Sequence, residues 1–102
     1  MSYESILKSK ETDELFQAIL TLQTQEDCYR FFEDLCTIKE VQSISQRFQV
    51  AKYLRHKKTY NEIEELTKAS TATISRINKC LMYGASGYTA VLDRLEEKEK
   101  EK

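Results

Sequence analysis

At 102 residues the chain has the length of one domain, and with 40% hydrophobic residues it is too apolar for a disordered one. No Pro and only two Gly leave too few turn residues for a β-rich fold, so an all-α chain is expected. A net charge of −1 excludes a globally basic protein, but residues 1–34 carry 3 basic and 8 acidic groups, residues 35–83 carry 9 and 4, and residues 84–102 carry 4 and 5, which sets a basic middle between acidic ends.

The N-terminus, MSYESILKSKETDE, lacks the charged-then-apolar layout of a signal peptide, and no apolar stretch approaches the roughly 20 residues of a membrane span. A cytoplasmic protein with no membrane partner is expected. The first helical spacing is Leu15, Ile19 and Leu22, with Phe16 and Leu20 beside them and Thr12 as the candidate cap. Thr24 precedes Gln-Glu-Asp, a cap with acids in the first turn, and opens a second helix with Cys28, Phe31, Phe32 and Leu35 on one face. Cys28 on that face is expected to be buried and reduced; with Cys36 and Cys80 it makes an odd set without metal-ligand spacing, so no metal site is expected.

Thr37-Ile38-Lys39-Glu40 has the form of a capping box and opens a third helix reaching about Lys57, with Val41, Ile44, Phe48, Ala51 and Leu54 as one stripe. Thr59-Tyr60-Asn61-Glu62 is a second capping box, opening a short helix with Ile63 and Leu66 facing inward. Ser70-Thr71-Ala72-Thr73 opens a fifth, with Ile74, Ile77 and Leu81 at helical spacing. Gly84 and Gly87 punctuate its end, and Tyr88, Val91, Leu92 and Leu95 make a last amphipathic helix over about 87–97. The charge-dense end EEKEKEK reads as a solvated helix terminus.

Residues 59–82 therefore predict a helix-turn-helix within one helical domain spanning 1–102. A recognition helix inserts its first residues into the major groove, so these must be small or hydrogen-bonding. Thr71, Ala72, Thr73 and Ser75 meet that need, and Arg76 and Lys79 follow as cations for DNA. The run Lys52, Arg55, His56, Lys57, Lys58, together with Thr59, offers phosphate contacts at the flank, or else a solvated helix face. Glu62, Glu64 and Glu65 are discordant, since they repel phosphates wherever they face DNA. His56 has no matching acid and nucleophile, and no Gly-rich phosphate loop occurs, so no enzyme is expected.

The segments LCTIKEVQSISQRFQVAKYL (35–54) and EIEELTKASTATISRINKCL (62–81) carry a family resemblance. The chain resembles the Trp repressor superfamily, and most closely its YerC/YecD-type branch, over roughly residues 12–95. The resemblance implies a six-helix fold in an intertwined homodimer, with the helices of 12–36 and 87–97 in the interface. It places Leu15, Phe16, Ile19, Phe31, Phe32, Leu35, Leu92 and Leu95 there. Two-fold symmetry would set two recognition helices about 34 Å apart on a pseudo-palindromic operator. The implied function is a sequence-specific, double-stranded-DNA-binding regulator of transcription, acting as a repressor; the alternative is a protein-interaction module that keeps the fold without reading DNA.

The resemblance also implies an effector pocket, in which Arg47 and Arg76 match two arginines that sandwich an indole ring and Thr37 matches an assisting threonine. Arginine planes stack on aromatic rings and bind carboxylates, so the pairing is chemically coherent. The family has Gly directly after the second arginine, where this chain has Ile77, and a Ser that holds the ligand's amino group, where this chain has Cys80. A branched side chain fills the space and a thiol is a weak partner, so no tryptophan corepressor and no other cofactor is expected. A different small-molecule effector is left open.

Overall fold

The computed structural model describes residues 3–100, which hold six helices and no strand. In chain order these are α1 (Lys10–Ile19), α2 (Gln25–Leu35), α3 (Ile38–Arg55), α4 (Tyr60–Thr67), α5 (Thr71–Tyr83) and α6 (Gly87–Lys100). They fall into two compact units, one ending at Ile38 and one beginning at Lys39.

In the first unit, Ile6 and Leu7 form a turn in which Ser5 accepts the Leu7 and Lys8 amides. The cap of α1 is Ser9, not Thr12: Ser9 Oγ accepts the Thr12 amide at 3.0 Å and donates to the Thr12 hydroxyl at 2.8 Å. Position decides this, because a cap must stand three residues before the amide it satisfies. Thr24 caps α2 as expected, accepting from the Asp27 amide at 3.0 Å. Phe31 and Phe32 meet edge to face with centroids 5.6 Å apart. Neither helix contains a buried residue. Leu15, Ile19, Phe31 and Phe32 are half-buried, Phe16 and Leu35 are exposed, and Cys28 is exposed rather than buried. The apolar face that carries Cys28 is only partly covered within the first unit.

In the second unit a core of Val50, Ala51, Ile63, Ala69, Ile74, Ile77 and Leu92 is surrounded by Phe48, Tyr53, Leu54, Tyr60, Leu81 and Tyr88. The stripe expected on α3 is covered only along its C-terminal half: Phe48, Ala51 and Leu54 pack inward with Val50, while Val41 and Ile44 are exposed. Leu92 is 4% exposed in its own chain's core, which leaves almost none of its surface for a second chain. Leu95 and Val91, on the adjoining face of α6, remain exposed. Leu66 is 56% exposed instead of inward. An eight-residue helix contributes one buried position here, Ile63, and the turn after it supplies the next contact through Ala69.

A charged triad fastens α3 to α6. The Arg55 guanidinium, 27% exposed, bonds the Asp93 carboxylate and forks onto Glu96 at 3.0 and 3.2 Å. The Asp93 hydrogen bond raises the Arg55 pKa above its ordinary value; burial opposes this and Glu96 adds to it.

Candidate nucleic-acid interface

The basic run at the end of α3 is positioned by the way that helix stops. Lys57 takes a left-handed conformation (φ 64°), its amide bonds Leu54 O at 3.1 Å, and the Lys58 amide reaches back to Tyr53 O at 3.1 Å. This closing turn leaves His56, Lys57 and Lys58 exposed. Arg55, counted from the sequence among the flanking phosphate contacts, is instead held by Asp93 and Glu96, because α6 brings two carboxylates to it. Lys58 stands 3.8 Å from Glu62, one helical turn on.

Thr59 and Glu62 form the full capping box of α4. Thr59 Oγ1 accepts the Glu62 amide at 3.2 Å and Glu62 Oε1 accepts the Thr59 amide at 3.1 Å. The Thr59 amide, then its hydroxyl, hold the Glu62 carboxyl below its ordinary pKa, with Lys58 assisting and burial opposing. Thr59 is exposed, but its hydroxyl is occupied by the cap.

The turn between α4 and α5 has three residues. Lys68 ends α4 in a left-handed conformation (φ 64°), with its amide on Glu64 O at 2.9 Å. Thr67 Oγ1 donates to Ile63 O at 2.7 Å and accepts the Ala69 amide at 3.2 Å. From α3, Gln46 Nε2 donates to Thr67 O at 3.0 Å, satisfying a carbonyl at the helix end. Ala69 is buried, and Ser70 caps α5 by accepting the Thr73 amide at 3.2 Å. Ser70 also donates to the Thr73 hydroxyl at 3.1 Å.

Two buried side chains orient α5. Ile74 and Ile77 turn into the core, so Thr71, Ala72, Arg76 and Lys79 are left exposed, with Thr73 and Ser75 half-buried. The residues expected at a DNA groove are thus gathered on one short helix held from behind. The sequence reading missed two features. Gln46 braces α4 from α3, and the Thr71 hydroxyl donates to the Glu64 carboxylate across the turn. Each joins residues on different helices, a relation that periodicity and capping patterns do not report.

Of the expected effector residues, Arg47 and Arg76 are exposed in the second unit and Thr37 is exposed in the first. Burial raises the pKa of the Tyr88 phenol; the Cys80 thiol adds to the rise, and the Arg47 and Arg76 guanidiniums oppose it. Ile77 is 3% exposed, and Cys80 is exposed. Among the described residues no group of three His, Cys, Asp or Glu is placed to hold a metal, and no helix is long and apolar enough to cross a membrane.

Comparison with known proteins gives a consistent result. The profile of the Trp repressor protein family matches residues 10–96. The chain is 56% identical over 95 residues to YerC of Bacillus subtilis strain 168, an uncharacterised protein, covering 93% of this chain and 91% of that one. A solved TrpR-like protein from Eubacterium eligens is similar with a TM-score of 0.85 and 56% identity, over 88% of this chain and 93% of that one. A candidate Trp repressor from Staphylococcus aureus has a TM-score of 0.85 and 53% identity, over 88% and 90%.

Proposed function

The chain belongs to the Trp repressor family, and on that footing we propose that it is a sequence-specific DNA-binding regulator, a repressor, that works as a homodimer. The observation that carries this reading is the two-sidedness of α5. Ile74 and Ile77 anchor one side in the core, while Thr71, Ala72, Arg76 and Lys79 stand exposed on the other. Small residues at the start of a helix admit it to the major groove, and cations beyond them meet phosphates. Lys57 and Lys58, before α4, supply flanking charge.

The homodimer is supported by α1 and α2. Helices of 10 and 11 residues are marginal alone, and these have no fully buried residue within the chain. A second copy that covers Leu15, Phe16, Ile19, Phe31, Phe32 and Leu35 supplies what they lack. The proposed role is binding without catalysis, in the cytoplasm. It also dispenses with tryptophan, because Ile77, where the family has Gly, is packed in the core.

The test is titration of fluorescent duplex fragments selected by the protein from a random pool, at several salt concentrations and with or without tryptophan. Expected are a recurrent two-fold-symmetric sequence, affinity that falls steeply as salt rises, and no effect of tryptophan. Glu62, Glu64 and Glu65 on α4, with the net charge of −1, favour a second reading as a protein-interaction module. Absence of any selected sequence, with tryptophan and with a small-metabolite mixture, would count against the first reading and favour the second.

A further inference from the structure

The leading edge of α5 carries chemistry opposite to that of the cations behind it. Thr71, the first residue of the helix, is exposed, and its hydroxyl donates to the carboxylate of Glu64 from α4. The bond from the Lys68 amide to Glu64 O folds the turn that brings these side chains together. A hydroxyl has one proton. With that proton given to Glu64, Thr71 Oγ1 offers a third group only lone pairs, and a carboxylate offers only acceptors. The paired side chains at this edge therefore present acceptors and a negative charge.

The bases respond differently to such an edge. In the major groove guanine shows acceptors N7 and O6, and thymine shows O4 and a methyl group. Adenine sets an acceptor, N7, beside its N6 amino group. Cytosine alone shows an amino donor, N4, with no acceptor on its own edge. Acceptors meeting guanine or thymine repel, at adenine the match is divided, and at cytosine it is complete. The same charge repels phosphates, so it penalises any docking in which this edge meets backbone instead of a base.

Resting on the reading of α5 as the helix that enters the groove, we propose that Glu64 and Thr71 together form a cytosine reader at one position of each half-site. Glu64 accepts the one cytosine N4 hydrogen that base pairing leaves free, and Thr71 positions the carboxylate by donating its hydroxyl to it. Lys68, Arg76 and Lys79, all exposed, are cations on the turn and on α5 that can hold the edge against the bases by phosphate contacts.

The test is selection from a randomised duplex library by the wild type and by Glu64→Gln, Thr71→Val and Thr71→Ser, each first shown to be folded by circular dichroism. Titration of the selected site and its single-base variants follows. The wild type is expected to prefer cytosine at a fixed position by about tenfold. Glu64→Gln should cut that preference to about twofold and bind random duplex more tightly, since a Gln amide both donates and accepts and has no charge. Thr71→Val should lose the preference and Thr71→Ser keep it. If Glu64→Gln selects the same base as strongly as the wild type, the cytosine reader is overturned and DNA reading stands. If the folded wild type enriches no sequence, both are overturned.

Discussion

Gly84 ends α5 where a side chain has no room. A Cβ built on it would lie 2.5 Å from Cys80 O and 3.1 Å from the Cys80 carbonyl carbon and Cα, all backbone atoms that cannot rotate away. The close approach exists because the Gly84 amide closes the helix onto that same carbonyl at 2.9 Å. Gly84→Ala must therefore open the last turn of α5 or displace the start of α6, and is expected to cost about 1–3 kcal/mol in urea unfolding. Gly87 meets nothing within 4 Å, so Gly87→Ala is the control and should cost less. Equal losses from the two would show that Gly84 is not held as described. Lys57 and Lys68 make a contrasting case, since both take the left-handed conformation that glycine adopts more readily. Each keeps a cation at the end of a helix next to the candidate interface, where a glycine would leave none.

At the scale of elements, α4 is eight residues long and has one fully buried side chain, so its capping box matters more than it would in a longer helix. Glu62 is the titrating half of that box. Its pKa is lowered in the folded chain by the Thr59 amide and hydroxyl. A depressed carboxyl pKa contributes stability that is present above the unfolded value and is lost as pH falls through the folded one. Glu62→Gln keeps an acceptor for the Thr59 amide but does not titrate, so its stability should fall less than that of the wild type across the acidic range. Parallel pH curves for the two would remove Glu62 from the acid sensitivity of the fold. The box was legible in the sequence, as were the Thr24 cap, the order of six helices and the Ile74–Ile77 face, because capping and helical period are local rules. What was not legible depended on neighbouring elements. Leu66 has the spacing of a core residue but no helix over it; Arg55 resembles its basic neighbours until α6 delivers Asp93 and Glu96. The Glu64–Thr71 pair appears only once the turn at Lys68 is folded.

For the whole molecule, the question is what covers the first unit. α1 and α2 carry apolar faces with no buried residue, and in the second unit Val41 and Ile44 of α3 are also exposed. Fully burying one side chain of the size of Phe or Leu gains about 1.5–3 kcal/mol, which short helices need to offset the entropy of ordering. In the proposed homodimer that gain comes from the second copy, so folding and association are one equilibrium. Two consequences follow for measurement. The thermal midpoint of the wild type should rise with protein concentration, because mass action favours the associated state. Phe32→Asp puts a charge on a face that the proposed second copy would cover and should cost about 3 kcal/mol or more per chain, lowering the midpoint and shifting light-scattering mass toward the monomer. Glu33→Gln, on the same helix but exposed, should change neither. If the wild-type midpoint is independent of concentration and Phe32→Asp remains a well-folded monomer, the apolar face is not covered by a second copy. The spacing of two recognition helices then has no physical basis, and α5 would have to act on DNA as a single helix.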